Sequence, residues 1–530
     1  MKRFARVHPY PALAAGASAI LLAACTVGPD YHQPHVDAPP SWQTEGYWRL
    51  AQPSHAPLDP NWWTGFSDDT LNGLETNALA QNQTLAAASA HYDQSRATLA
   101  NTKAQQMPEV DLAATGGREK ISKDRPLTSY GTPNQSTVQN YVQVGPTVTY
   151  DTDLFGRIRR EVEGAKASAE QSRDDLANAR LVLTTDLATD YFSLRELDAE
   201  IDVLNQSVAL QKKALDYVNA EHELGSVSGL DLLQQQSLLD STHVQATLLL
   251  NQRAVYEHAI AALVGVPAPQ FSIAPKVVTI QVPAIPLGVP SDVLQRRPDV
   301  ASAERAMAAA NAQIGVAKAA FFPSLSLVPG LGWESTSFAS LFSAPSLFWT
   351  LGASLGQVVF DGGRRAANVD FASAGYRQAE ANYRQAVLTA FQQVQDGVTG
   401  LAVLDDASKQ SSQAVSDANK LLSLANDRYS GGLVAYLNVI SAQQSLLTSQ
   451  RQDVQIHGQQ MTLAVSLVKA LGGGWDATQP AVAAGASGAA GASGASGAAA
   501  TQGAAATPGT SATQGADATQ VRQEAMNPAN

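Results

Sequence analysis

Apolar positions recur at three- and four-residue spacing along two very long, proline-free runs. In the first, Leu194, Leu197, Ile201, Leu204, Val208, Leu215 and Val218 keep one register, with Gln211 at its one polar step. In the second, Leu401, Leu404, Val415, Ala418, Leu422 and Ala425 keep the same register, with Ser408 and Ser411 inside the seam. A repeat of this period predicts long helices packed side by side by knobs into holes. Each run breaks once, at Gly225-Ser226-Val227-Ser228 and at Gly432-Leu433-Val434-Ala435. Each is therefore a helical hairpin, over residues 156–265 and 363–472. A helix of about 65 residues would reach roughly 100 Å. The hairpins are offset by 207 positions without an insertion: Gly363-Arg364 answers Gly156-Arg157, Gly432 answers Gly225, and Gly472 answers Gly265. The chain is internally duplicated.

Two segments of alternating pattern precede each hairpin: about 109–118 and 141–150 in the first repeat, about 324–333 and 349–360 in the second. A helix from about Asp69 to Gln106 leads into the first pair and is stopped by Pro108. A helix starting at Arg297-Pro298-Asp299 leads into the second and ends at Phe321-Phe322-Pro323. Proline suits the first turn of a helix, and an acid there complements the dipole. Ten residues is the length of a membrane-spanning β-strand. A sheet in lipid must close, because an open edge has no water to bond. Four strands cannot close a barrel, but three chains supply twelve, an acceptable even number. Trp333 and Trp349 at strand ends suit an interfacial belt. A small soluble β-domain is the plainer alternative. The expected fold is mainly α with a membrane β-barrel: an internally duplicated chain whose trimer forms a 12-stranded barrel, continued by a long α-helical barrel.

Composition refines this picture. Charged residues are only 15% of the chain and the net charge is −12, which argues against nucleic acid as a partner. Residues 1–24 carry Lys2, Arg3 and Arg6 before a short apolar run, an export signal. The run ends at Leu22-Ala23-Ala24-Cys25, and Cys25 is the only cysteine. A lone cysteine in an exported chain could pair between molecules or react; a covalent lipid on Cys25 accounts for it better. Residues 25–63 then form an extended, lipidated segment, 64–265 the first repeat, 266–290 a proline-rich connector, 291–472 the second repeat and 473–530 a disordered low-complexity tail. No metal site is expected: His32 and His35 have no further ligands close by. No cofactor is expected, and no nucleophile–base grouping points to an enzyme.

Several motifs together resemble the NodT-type outer-membrane efflux lipoproteins, relatives of TolC and OprM. They are Cys25-Thr-Val-Gly-Pro-Asp-Tyr, Trp62-Trp63, Ser291-Asp292-Val-Leu-Gln-Arg296-Arg297-Pro298-Asp299, Phe321-Phe322-Pro323-Ser324, and Arg428-Tyr429 before Gly432-Leu433-Val434. The resemblance covers residues 25 to about 475. It implies a homotrimeric exit duct, lipid-anchored in the outer membrane and extending into the periplasm. It also implies a periplasmic adaptor (membrane fusion protein) and an inner-membrane resistance–nodulation–division (RND) transporter as partners. By the same resemblance Arg428 and Tyr429 tie the tip helices, Leu437 is an apolar constriction residue, and Asn438 and Ser441 stand where relatives carry aspartates. For Leu437 a plain seam position is the alternative. Neither 438 nor 441 is acidic here, and Asp231 is the first-repeat counterpart of Asn438. Gly225, Ser226 and Val227, with Gly432, Leu433 and Val434, are the expected adaptor contacts. A duct serving ATP-driven type I protein secretion is the runner-up, and a coiled-coil stalk without transport is a third reading.

Overall fold

The computed structural model describes residues 26–34, 59–124, 136–278, 282–283, 285 and 296–475. The expected signal segment, Cys25, Trp42 and Trp48, the connector beyond residue 285 and the tail from Asp476 lie outside the described residues.

The elements follow in the order α1 (Asp69–Gln81), α2 (Gln83–Ala104), β1 (Glu109–Ile121), β2 (Thr137–Asp151), α3 (Arg157–Glu223), α4 (Gly229–Val264), α5 (Pro298–Ala319), β3 (Ser324–Ser335), β4 (Leu347–Gly356), α6 (Arg364–Ser430) and α7 (Leu437–Ala470). The duplication is visible in the coordinates. Helices α3 and α6 each have 67 residues, about 100 Å of helix. The expected seam is buried: Leu194, Leu204 and Val218 on α3, and Leu401, Ala418 and Ala425 on α6. Gln211 and Ser411 are buried with it, and Ser408 is half-buried.

Strands β1, β2 and β3 run longer than expected, to Ile121, from Thr137 to Asp151 and to Ser335, and three further boundaries differ for local reasons. The helix expected over 69–106 is two helices broken at Asn82, which is extended (φ −66°, ψ 125°). The Asn82 side chain accepts from Leu85 N at 2.9 Å and donates to Leu263 O at 2.8 Å, so it caps α2 and pins the break to the end of α4. Strand β4 starts two residues early and stops at Gly356; beyond it, the Gln357 side chain donates to Phe321 O. Residues 473–475 are ordered: Gly473 N bonds Val468 O and Trp475 N bonds Gly472 O, so the tail starts later than 473.

The strands form one antiparallel sheet in the order β1-β2-β3-β4. One face reads Val110, Leu112 and Ala114 on β1, Val144, Val148 and Tyr150 on β2, Leu325, Leu327, Leu331 and Trp333 on β3, and Leu347, Trp349, Leu351 and Leu355 on β4. The other face is mostly polar or small, with Thr115, Gln143, Thr147, Ser324, Ser326, Thr350 and Ser354 and several glycines, and it also carries Tyr141, Val328 and Phe348. The apolar band on β3 and β4 is about 27 Å long along the strand. Pro146 and Pro329 lack an N–H, and the ladder between β2 and β3 is interrupted around them. Below the sheet, Trp62, Trp63 and Phe66 pack on Tyr191 and Phe192 in the main core, which draws on α1 and on α3 to α7. No helix among the described residues is long and apolar enough to cross a membrane.

One core residue is out of character. Glu75 on α1 is fully buried with neither carboxylate oxygen hydrogen-bonded, and Asn72 Oδ1 one turn earlier is also unpaired. Burial pushes the Glu75 carboxyl up to about 9. The folded state therefore holds a proton that the unfolded state releases above pH ~4.5, and stability falls as pH rises from there towards 9. Glu75→Leu should remove this slope and raise stability near pH 8 by roughly 5 kcal/mol. Thermal unfolding midpoints of both proteins at pH 5 and pH 8 check this; parallel shifts at the two values would count against it.

Candidate functional site

Three places concentrate polar contacts between distant parts of the chain: the hairpin tips, the middle of the helices, and the foot of the sheet.

At the tips both turns end their long helices in the same way. Ser226 N bonds Glu221 O and Leu433 N bonds Arg428 O, with Gly225 (φ +78°) and Gly432 (φ +69°) in the left-handed conformation. This cap satisfies helix carbonyls that would otherwise be orphaned, and it favours glycine at both positions. Leu224 and Leu433 are 82% and 72% exposed, and Ser226 is exposed beside them. Val227 and Val434 are half-buried, and Val227 packs on the tip core, so it is less available than the turn residues before it. That core joins Val218, Leu238, Tyr436, Val439 and Ile440 from both hairpins.

Tyr429 ties the second tip to the first. Its hydroxyl donates to Glu221 Oε2 at 2.8 Å, and its ring meets Tyr436 edge-on at 5.0 Å. Burial, then the Glu221 contact, holds the Tyr429 phenol well above its ordinary range. Tyr436 donates to Gln235 Oε1 at 3.0 Å, and Gln235 donates to the backbone O of Gln211 at 3.0 Å; the buried Gln211 side chain itself donates to Ser207 Oγ at 3.3 Å, and its Oε1 is unpaired. Arg428 is exposed. Leu437, the first residue of α7, is 53% exposed and outside the seam that Val439 and Ile440 fill. Asn438 Nδ2 donates to Ala435 O and Ser441 Oγ to Leu437 O, so both turn back on their own backbone. Asp231 closes a capping box with Ser228.

In the middle of the helices, the Arg-Arg-Pro-Asp motif is a joint. Arg297 is buried; it pairs with Asp299 and donates to Gln393 Oε1 at 2.8 Å and Ala470 O at 3.1 Å. Pro298 opens α5. Gly472 (φ +91°) is required because a Cβ there would overlap the Arg296 carbonyl. A second joint escapes sequence reading. Arg253 on α4 and Arg195 on α3 share Asp198, at 2.6 and 2.8 Å. Arg253 also pairs with Glu257 and donates to Ile273 O; Arg195 donates to Ala274 O. Together they hold the start of the connector. The local signals are the i, i+4 spacing of Arg253 and Glu257 and the i, i+3 spacing of Arg195 and Asp198.

At the foot of the sheet, residues 26–34 run as a strap. Val27 N bonds Phe155 O, and buried Arg160 donates to Val27 O, Gly28 O and Asp30 Oδ1. Asn311 donates to Pro29 O, and Tyr31 bonds Glu304. Gly28 (φ +111°) crosses the backbone of Gly315 too closely for any side chain. Thr26 sits against Gly156, where β2 gives way to α3.

Residues 74–266 and 289–473 match the profile of the family described as outer membrane efflux protein. The chain belongs to that family. The gap between the matched segments is the connector. The chain is 31% identical over 465 residues to the solvent efflux pump outer membrane protein SrpC of Pseudomonas putida, covering 87% of this chain and 97% of SrpC. It is 30% identical over 445 residues to the pyoverdine export outer membrane protein OpmQ of Pseudomonas putida, covering 84% and 93%. Among solved structures, the outer-membrane channel OprN superimposes with a TM-score of 0.77 at 26% identity, covering 85% of this chain and 100% of that one. The open-state MtrE channel of Neisseria gonorrhoeae gives 0.75 at 26%, covering 86% and 100%. The chain is an outer-membrane factor of the TolC and OprM kind, the exit duct of an efflux pump.

Arg253→Ala should strand Glu257 and part of Asp198 in a buried setting and cost about 3 kcal/mol. A lowered thermal unfolding midpoint with the fold retained by circular dichroism checks this; an unchanged midpoint would show that the network carries no net stability.

Proposed function

We propose that three copies close a twelve-stranded barrel in the outer membrane and continue it as a twelve-helix tube through the periplasm. The observation that carries this reading is the sheet: one apolar face, one polar face, and edges at β1 and β4 with no partner among the described residues. Lipid tolerates no such edge, and a band about 27 Å long suits a barrel wall. Exposed apolar residues along α4 and α6, among them Leu233, Leu248, Leu388 and Leu421, supply seams for neighbouring copies. Cys25 carries the lipid. Its neighbour Thr26 is held at the sheet's foot, which suits an anchor at the inner surface of the membrane.

The tips close the duct at rest and dock the periplasmic adaptor, which links it to an inner-membrane RND transporter. Energy comes from that transporter; the chain has no phosphate-binding loop motif. The cargo is small molecules, as the names of relatives that export solvents or pyoverdine suggest. Tyr429 and Leu437 keep the tip shut. With Asn438 and Ser441 in place of acids, the constriction is polar and neutral, so strong charge selection there is not expected.

Tyr429→Phe removes the bond to Glu221 but keeps the ring packing, a loss of about 1 kcal/mol. Leu437→Ala removes the apolar plug. Both variants should admit vancomycin, with lower inhibitory concentrations than the wild type; unchanged susceptibility at equal protein levels would remove these residues from the gate. Partner identity is tested by a photoreactive residue at Ser226 or Leu433 in intact cells. Capture of the adaptor of an RND transporter is expected. Capture of the adaptor of an ATP-driven exporter would make this a protein-secretion duct, and no capture at either turn would overturn tip docking.

A further inference from the structure

The sheet sorts its charges by face. On β1, Glu109, Asp111 and Glu119 alternate with Val110, Leu112 and, further along, Arg118 and Lys120. Two cross-strand contacts fix which face is which. Gln139 Nε2 donates to Glu119 Oε1 at 3.3 Å. The Tyr141 ring lies over Gly117, so that a Cβ at Gly117 would come within 2.7 Å of its Cε1. Gly117 and Glu119 thus face the polar side, and successive residues of a strand point to opposite sides. Arg118 and Lys120 therefore stand on the apolar face, in line with Val110 and Leu112.

Register sets their level. Ala114 pairs with Val144, which pairs with Trp333. Arg118 lies four residues past Ala114, about 13 Å further along the strand. Strand β1 leaves the end of α2 and runs away from the helices, so this is the end of the sheet opposite the periplasmic tube. Along this face the order is aliphatic residues, then the tryptophan level, then two cations. Both are exposed, and among the described residues neither meets a carboxylate. A cation pair with no acid beside it, at the outer limit of a lipid-facing band, complements an anionic headgroup.

We propose that Arg118 and Lys120 bind phosphate groups of lipopolysaccharide, the anionic lipid of the outer leaflet, and so fix the depth of the sheet in the membrane. This rests on the reading of the chain as an outer-membrane duct. The contact adds a lipid-specific site to the barrel wall, apart from the tips and the lumen.

The test uses the full chain and its R118Q/K120Q variant, with E334Q on the polar face as a control. Each is first shown to conduct in planar bilayers when it also carries Leu437→Ala, which opens the tip. Purified lipopolysaccharide, phosphatidylglycerol and phosphatidylcholine are then titrated in detergent, with the thermal unfolding midpoint as readout. Lipopolysaccharide should raise the midpoint of the wild type and of E334Q. The double variant should need about thirtyfold more of it, and the gain should shrink in high salt. Equal responses of wild type and double variant would overturn the proposal. So would loss of the response in E334Q, or protection by phosphatidylglycerol equal to that by lipopolysaccharide. A chain that does not conduct even with Leu437→Ala would remove the duct reading itself, whereas conduction without lipopolysaccharide dependence removes this inference alone.

Discussion

An unpaired strand edge in hydrocarbon leaves backbone N–H and C=O groups with nothing to bond, each at a cost of several kcal/mol. In the barrel proposed for this chain that constraint falls on β1 and β4, the two edges of a sheet whose one face is apolar up to the level of Arg118 and Lys120. Much else follows from satisfying it. The duplication provides two hairpins of strands rather than one. The long helices inherit the spacing of the strands above them, so they too must sit side by side and present seams in more than one direction. Their low charge and many small residues suit that task.

Long helices laid side by side enclose little interior, so their joints are held by polar groups as much as by apolar packing. Three arginines do this work at three joints. Arg160 gathers the N-terminal strap, Arg253 gathers the connector, and Arg297 gathers the start of α5 and the end of α7. Each binds backbone carbonyls as well as a carboxylate. The planar guanidinium can satisfy several acceptors at once from one buried position, which an ammonium group cannot. Segments without regular structure are thereby fixed to helices without a large apolar footprint.

How much of this was legible follows from the range of each interaction. The offset of 207 positions located both 67-residue helices and both glycine turns, because these depend on local periodicity and left-handed glycines. The break at Asn82 was not legible: asparagine is tolerated inside helices, and what makes it a cap is Leu263, 181 residues away. The Arg195–Asp198–Arg253 group was hidden for the same reason, since Arg253 and Asp198 lie 55 residues apart. Arg297 stood out as a motif without revealing that its partners are Gln393 and Ala470. At the tip, Tyr429 was legible as a tie but its acceptor, Glu221, was not. Val227, an expected adaptor contact, is half-buried against a tip core drawn from both hairpins, which its local sequence does not reveal.

The strap at residues 26–34 has a consequence for the order in which the molecule is built. Tyr31 bonds a residue 273 positions downstream, and Pro29 one 282 positions downstream. Contacts of such separation form late, after the loop between them has been closed by other means. The first described stretch of the chain is thus among the last to find its place. It can settle only when α5 from the second repeat already lies beside α3 from the first. A strap seated on Arg160 is therefore a mark of completed folding: a chain cut short before residue 311 would leave Gly28-Pro29 without the surface it is shaped to cross.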